Sequence, residues 1–294
     1  MILRTNSEEA VAAAVASWGT SPQVFDRTPL ELRIVIHAEG GRAPDPVFRA
    51  QGHLLSVVSD RHNFGTADLD RSFAYLVVSR ETAGDVDRFR WFFLESVVYT
   101  MLIQKAVTPL HAACVERDGT GILLVGPSGS GKSTLSFACA LRGWNFIADD
   151  ASYLVNGGTY RTVAGRGGAV RLRADASLRF QQLAGRRAEI HPNGKRTIAV
   201  ALAEFPGTCA VPHCLVDAVV VLRRGAARIA LRSTSPEPVA QELLAAIGSY
   251  GEEVRGRHAA AIHALTARRT WTLTYQTLED ALTLLDGFVE HRRV

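Results

Sequence analysis

This 294-residue sequence has no CxxC pair, no His/Cys cluster at zinc-binding spacing, no long uncharged apolar run, no basic stripe, no internal repeat and no low-complexity linker. Each absence excludes a class. The four cysteines, Cys114, Cys139, Cys209 and Cys214, stand singly. That argues against a structural zinc site or a disulfide-stapled secreted fold, and for buried thiols in a reducing compartment. Without about 18 consecutive apolar residues, no membrane-spanning helix is expected. The start, MILRTNSEEAVAAAV, turns acidic and polar too soon for a secretory signal, so a cytoplasmic location is expected. The formal charge is only +4, and the basic doublets Arg223-Arg224, Arg268-Arg269 and Arg292-Arg293 are scattered. Neither nucleic acid nor a membrane surface is an expected partner.

What is present is globular. At 47% hydrophobic and 21% charged residues, the chain can build one large domain or two ordinary ones. Between residues 30 and 80, ELRIVIHAE, two runs in VFRAQGHLLSVVSD, and FAYLVVS read as strands, with turns at GGRAPDP and DRHNFG. This pattern predicts a small mixed or antiparallel sheet. It contains no catalytic constellation; His53, Asp60 and His62 read as turn and surface groups. From 85 to 105, Phe89, Phe93, Val97 and Met101 recur at helical spacing, widened by Trp91 and Phe92. A boundary near residue 105 separates a smaller N-terminal α+β region (1–105), a candidate for substrate recognition, from residues 106–294.

Beyond it, two apolar runs flank Asp118-Gly119, a hairpin signal, and the second run leads into GPSGSGKST (126–134). Gly126, Gly131, Lys132 and Ser133 complete the P-loop pattern, with Ser128, Gly129, Ser130 and Thr134 in and beside it. Glycines let backbone N–H groups approach phosphate oxygens, and the following helix, expected from Lys132 to Leu141, points its positive end at them. Lys132 can reach the outer phosphates, and the Ser133 hydroxyl can join Mg²⁺. The strand WNFIADD ends in Asp149-Asp150, and the path along the loop helix and back returns both carboxylates to the phosphate end of the sheet. Adjacent strand residues face opposite sides. One acid can therefore hold Mg²⁺ while the other takes the proton of an attacking hydroxyl. His111 belongs to the first run. If Asp118-Gly119 is the turn, the continued ladder sets it opposite Gly126; if Gly119-Thr120 is, opposite Ser128. Either register puts the imidazole beside the loop, to orient the catalytic carboxylate or touch the transferred phosphate. Further strands are expected near 151–156, 168–173, 196–202 and 216–225, with IALRSTS pairing to the last. Helices are expected at 236–247, 254–267 and 278–289.

LHAACV, GPSGSGKST and GWNFIADD, in that order, resemble the catalytic domain of the HPr kinase/phosphorylase family, itself similar to the phosphoenolpyruvate carboxykinase nucleotide fold. The likeness continues through GGAVRLRADA (167–176), NGKRTIAVALAEF (193–205) and VDAVVVL (216–222). The resemblance implies an α/β P-loop kinase core, ATP and Mg²⁺ as cofactors, and a homo-oligomer. By position it implies Asp149 as catalytic base, Asp150 assisting metal or phosphate, and His111 supporting the base. Lys132 and Ser133 keep their loop roles, and Lys195 or Arg196 reaches the phosphates from a later loop. The glycine-rich signature loop of true HPr kinases is replaced by VRLRADASLRF, where Asp175 is a candidate metal contact. HPr is thus not the expected acceptor. Looser relatives point instead to a serine of a peptide or protein, or to a small hydroxyl compound such as free serine. Two rivals stand beside this reading. Against a shikimate- or gluconate-type small-molecule kinase, the loop begins only at residue 126 and the acids are adjacent rather than D-x-D. A non-catalytic nucleotide sensor would keep the loop and use the acids only for Mg²⁺.

Overall fold

The computed structural model describes residues 1–19, 27–157, 159–165, 168–190, 194, 196–225, 228–248, 251–267 and 269–291. Two compact units divide it, Met1–Val107 and Thr108–Val294.

The first unit runs β1 (Ile2–Thr5), α1 (Glu8–Trp18), β2 (Glu31–His37), β3 (Val47–Gln51), β4 (Leu54–Val58), β5 (Phe64–Asp68), β6 (Phe73–Ser79), α2 (Arg80–Gly84), α3 (Val86–Phe89), a π-helical turn (Arg90–Glu95) and α4 (Ser96–Lys105). Its mixed sheet has the order β1-β2-β6-β5-β4-β3, the first three strands parallel and the rest an antiparallel meander. Alternation positions it: Leu32, Ile34 and Ile36 turn inward, and Glu31 and Arg33 form an ion pair on the other face. Phe64 and Gly65, read from sequence as the end of a turn, instead open β5. The helical stretch after residue 85 buries Phe89, Phe93, Val97 and Met101 completely. The π turn interrupts it and carries Glu95 inward, where the carboxylate accepts from Ser17 Oγ at 2.9 Å and Arg90 Nη2 at 3.1 Å.

The second unit continues with β7 (Val107–His111), β8 (Ala113–Arg117), β9 (Thr120–Val125), α5 (Lys132–Leu141), β10 (Asn145–Ala148), β11 (Ala151–Val155), β12 (Thr162–Gly165), β13 (Ala169–Arg173), β14 (Glu189–Ile190), β15 (Arg196–Ala201), β16 (Cys209–Ala210), β17 (His213–Arg224), β18 (Ala230–Ser233), α6 (Pro236–Ala245), α7 (Glu252–Thr266), β19 (Thr270–Tyr275) and α8 (Leu278–Glu290). The main sheet follows β16-β10-β8-β9-β17-β12-β11-β7, with β19 also on β17 and β18 on β19. β9, β17 and β19 are parallel. β10 runs the same way as β9, with antiparallel β8 between them. The carboxyl ends of these four strands therefore share one end of the sheet. One face packs α5, α8 and a small sheet of order β13-β15-β14; the other packs α6 and α7. The architecture is mixed α/β.

Two sequence expectations are corrected here. IALRSTS does not pair with β17: β18 lies antiparallel to β19, which takes the edge of β17 over Val219–Arg224. The hairpin turn is Asp118-Gly119, with φ of 53° and 76° and Arg117 opposite Thr120, the positive-φ turn that suits strand twist. Its ladder stops at Ala113 opposite Leu124. The Ala112 N–H bonds back to Leu110 C=O at 2.9 Å, and the preceding segment departs as β7 to pair with β11. His111 is thus opposite neither Gly126 nor Ser128.

Candidate active site

The glycine loop leaves β9 at Val125 and enters α5 at Lys132. Its tip, Pro127–Gly129, is exposed. Gly131 caps α5 at φ 101°, and a Cβ there would stand 2.6 Å from Tyr275 Oη; the turn has room only for glycine. That phenol, at the end of β19, donates to Ser130 C=O at 2.7 Å and pins the loop to the neighbouring strand. Burial raises the Tyr275 pKa, so it stays a donor. Ser130 Oγ is buried with no hydrogen-bond partner among the described residues, an orphan polar atom in the wall of the cradle.

Lys132 is 5% exposed. Its ammonium donates to Gly126 C=O at 2.6 Å and contacts His111 Nε2 at 3.1 Å. An ammonium offers only hydrogens. Nε2 therefore accepts, and Nδ1 carries the ring proton toward Asp150 Oδ1 at 3.0 Å. This chain of contacts, Lys132–His111–Asp150, joins loop to acidic pair. It also corrects an expectation: His111 steadies Asp150, not Asp149. The two acids lie in the bend just past β10 rather than within the strand, and they do diverge. Asp150 is exposed. Asp149 is half-buried, and its Oδ2 accepts the Arg171 N–H of β13 at 2.7 Å. Burial dominates its titration and pushes its pKa up to about 6; the Arg171 N–H pulls the other way, and the neighbouring Asp150 charge adds to the rise.

Ser133 and Thr134 sit half-buried in the first turn of α5. Among the described residues, no group of three or more His, Cys, Asp or Glu side chains could hold a metal. A cation here would rely on the Ser133 hydroxyl, the Asp150 carboxylate, phosphate and water. This oxygen-only donor set fits Mg²⁺, which keeps waters and substrate oxygens in its shell. Arg196 opens β15 on the face it shares with buried Ile198 and Val200 and makes no hydrogen bond to the loop among the described residues. Lys195 lies outside the described residues. Asp175 pairs with Arg179 at 3.1 Å. The arginine that does reach the loop is one sequence reasoning missed: Arg173 Nη2 donates to Ser128 Oγ at 3.1 Å. The only local hint was the alternation in VRLR, which puts Arg171 and Arg173 on one strand face.

A family model described as "ScmC: SynChlorMet cassette protein ScmC" matches residues 79–164, less than a third of the chain and including His111, the glycine loop and both acids. No curated protein matches the chain. Among solved structures, the HPr(Ser) kinase/phosphatase from Coxiella burnetii is similar at 13% identity and a TM-score of 0.37, over 63% of this chain and 92% of that one.

Proposed function

We propose that this chain is an ATP- and Mg²⁺-dependent kinase that transfers the γ-phosphoryl group to a hydroxyl, with a serine of a peptide or protein as the acceptor class and a small hydroxyl compound as the alternative. A P-loop core of the HPr kinase type, acting in the cytoplasm, goes with this reading. The observation that carries it is the Lys132–His111–Asp150 chain at the mouth of a glycine loop, beside a second carboxylate, Asp149, whose pKa burial raises to about 6.

The roles follow from chemistry. The loop amides and the amino end of α5 receive the phosphates. Lys132 exchanges the Gly126 carbonyl for an outer phosphate oxygen. Asp149, ionised, takes the proton of the acceptor hydroxyl. That oxygen then forms the new bond to γ-phosphorus as the bond to the β,γ-bridging oxygen breaks, and ADP leaves with the electron pair. Ser133 and Asp150 would hold Mg²⁺, which when bound neutralises charge on the phosphates; His111 fixes the Asp150 carboxylate for that task. Positioning and charge neutralisation carry the rate.

The test is phosphate transfer from ATP to a panel of serine peptides and small hydroxyl compounds, read as a mass gain of one phosphate. Lys132→Ala is expected to abolish transfer with the fold retained. Asp149→Asn is expected to bind ATP but transfer slower by about 10²- to 10⁴-fold. ATP binding without turnover on any acceptor would leave a nucleotide sensor in place of a kinase.

A further inference from the structure

We propose that Arg173 is the cation that meets the terminal phosphoryl group of a bound nucleoside triphosphate from the outer side of the loop, across from Lys132, a role that rests on the kinase reading for its ligand. Three observations converge on it. First, the guanidinium lies on the exposed tip of the loop: Nη2 bonds Ser128 Oγ at 3.1 Å, and its nitrogens come within 3.5 and 3.6 Å of where a Cβ on Gly129 would project. Second, the same strand holds the acid proposed as base. Arg171, two residues earlier on β13, gives its N–H to Asp149 at 2.7 Å. One short strand thus holds both the acid, through a backbone N–H, and the cation that bonds the loop, two residues further on. Third, the strand is fixed rather than draped on the surface. Val170 and Leu172 are completely buried, and β13 pairs with β15 from Ala169 opposite Ala201 to Arg173 opposite Thr197.

The charge geometry gives this placement its meaning. Lys132 is enclosed between Gly126 C=O and His111 and approaches a phosphate from within the loop. The terminal group carries the most charge, spread over three oxygens that face several directions. A second cation on the opposite side satisfies oxygens that face away from Lys132. Guanidinium suits the task because its planar fork offers five N–H donors, and one bond to a serine hydroxyl leaves the others available. Among the described residues, Arg173 has no carboxylate partner to compete for them.

The experiment compares the affinities of full-length wild type, Arg173→Ala and Arg173→Lys for Mg²⁺ with a non-hydrolysable ATP analogue and with ADP, by calorimetry, with thermal melts to confirm folding. Wild type is expected to prefer the triphosphate. Arg173→Ala is expected to lose that preference by about ten- to a hundredfold while ADP affinity stays within about twofold, and Arg173→Lys is expected to recover part of the loss. An unchanged triphosphate-to-diphosphate ratio in Arg173→Ala overturns the proposal. So does equal weakening of both nucleotides, which would mean that Arg173 only shapes the loop through Ser128. Transfer activity is read separately. Wild type that binds the triphosphate but transfers nothing sinks the kinase reading, while the affinity ratio still decides Arg173. Wild type that binds neither nucleotide sinks both.

Discussion

Asp149 is held where ionisation is disfavoured and where the proposed chemistry needs it ionised. Its folded pKa of about 6 lies above the roughly 3.9 of an unfolded aspartate. The sign of the linkage follows. Below both values the acid is protonated in either state and contributes nothing. Between about 4 and 6 the folded chain keeps a proton that the unfolded chain has released, so stability falls as pH rises. Above pH 6 the full cost is present, on the order of 1–3 kcal/mol. Asn at this position can still accept the Arg171 N–H without carrying charge. Asp149→Asn should therefore be more stable than wild type at pH 7.5 by about that amount, and the difference should vanish below pH 4, as read from denaturant melts across pH. A difference that is absent at pH 7.5 would mean that burial does not penalise this carboxylate. The same titration governs turnover. The kcat/KM for transfer should rise with pH through an apparent pKa near 6 as Asp149 becomes a base. An ascending limb near pH 4 would mean that the base titrates as an ordinary carboxylate, without the penalty of burial.

Trp144 and the β8–β9 hairpin depend on one carboxylate in α8. Asp286 accepts from Arg117 Nη1 at 2.7 Å, Arg142 Nη1 at 2.9 Å and Trp144 Nε1 at 3.0 Å, so it ties the hairpin arm, the end of α5 and α8 together. Asp286→Ala leaves the indole N–H of a completely buried tryptophan without its acceptor, and should cost about 2–4 kcal/mol in chemical denaturation. Asp286→Asn, which keeps an acceptor oxygen, should lose less; equal losses would place the effect in packing rather than in the bonds. Such long-range ties mark where sequence reading stops. The Asp118-Gly119 turn, the helix from Lys132 to Leu141 and the three C-terminal helices were legible because each is written in neighbouring residues: two positive-φ positions, a glycine loop before a helix, apolar spacing. β19 was missed and β18 misassigned because a parallel partner leaves no local trace; its register with β17 spans dozens of residues. His111 was placed beside the loop for the wrong reason. The ladder it was counted along ends at Ala113, and the tertiary path of β7 brings the ring to Lys132 and Asp150 instead. Arg173 was invisible for the same cause, since β13 meets the loop only after the small sheet folds onto α5.

No helix among the described residues is long and apolar enough to cross a membrane; apolar burial is concentrated instead in three separate core clusters, one in the first unit and one on each face of the main sheet of the second. Those cores, not cross-links, hold the molecule. The sequence suggested four buried thiols, and three are: Cys114, Cys139 and Cys214 lie inside, whereas Cys209 is exposed because β16 is a two-residue strand at the sheet edge, its burial pattern exposed throughout. Cys114 and Cys214 come within 3.5 Å of each other, well beyond the roughly 2.05 Å of a disulfide. The facing Cys214 sulfur, and burial after it, hold the Cys114 thiol protonated far above ordinary pH, and burial does the same for Cys139. A protonated thiol is a poor nucleophile and a buried one is sheltered besides. A thiol-reactive dye added to the native protein should therefore label one cysteine quickly, Cys209, and the other three only as fast as the chain unfolds; Cys209→Ser should remove the fast phase and leave the slow one. In denaturant all four should react, and reductant should leave the melting temperature unchanged. A total of two in denaturant, restored to four by reductant, would show that Cys114 and Cys214 had closed a bond across the strand that feeds the glycine loop, and the stability of this unit would then owe something to a cross-link.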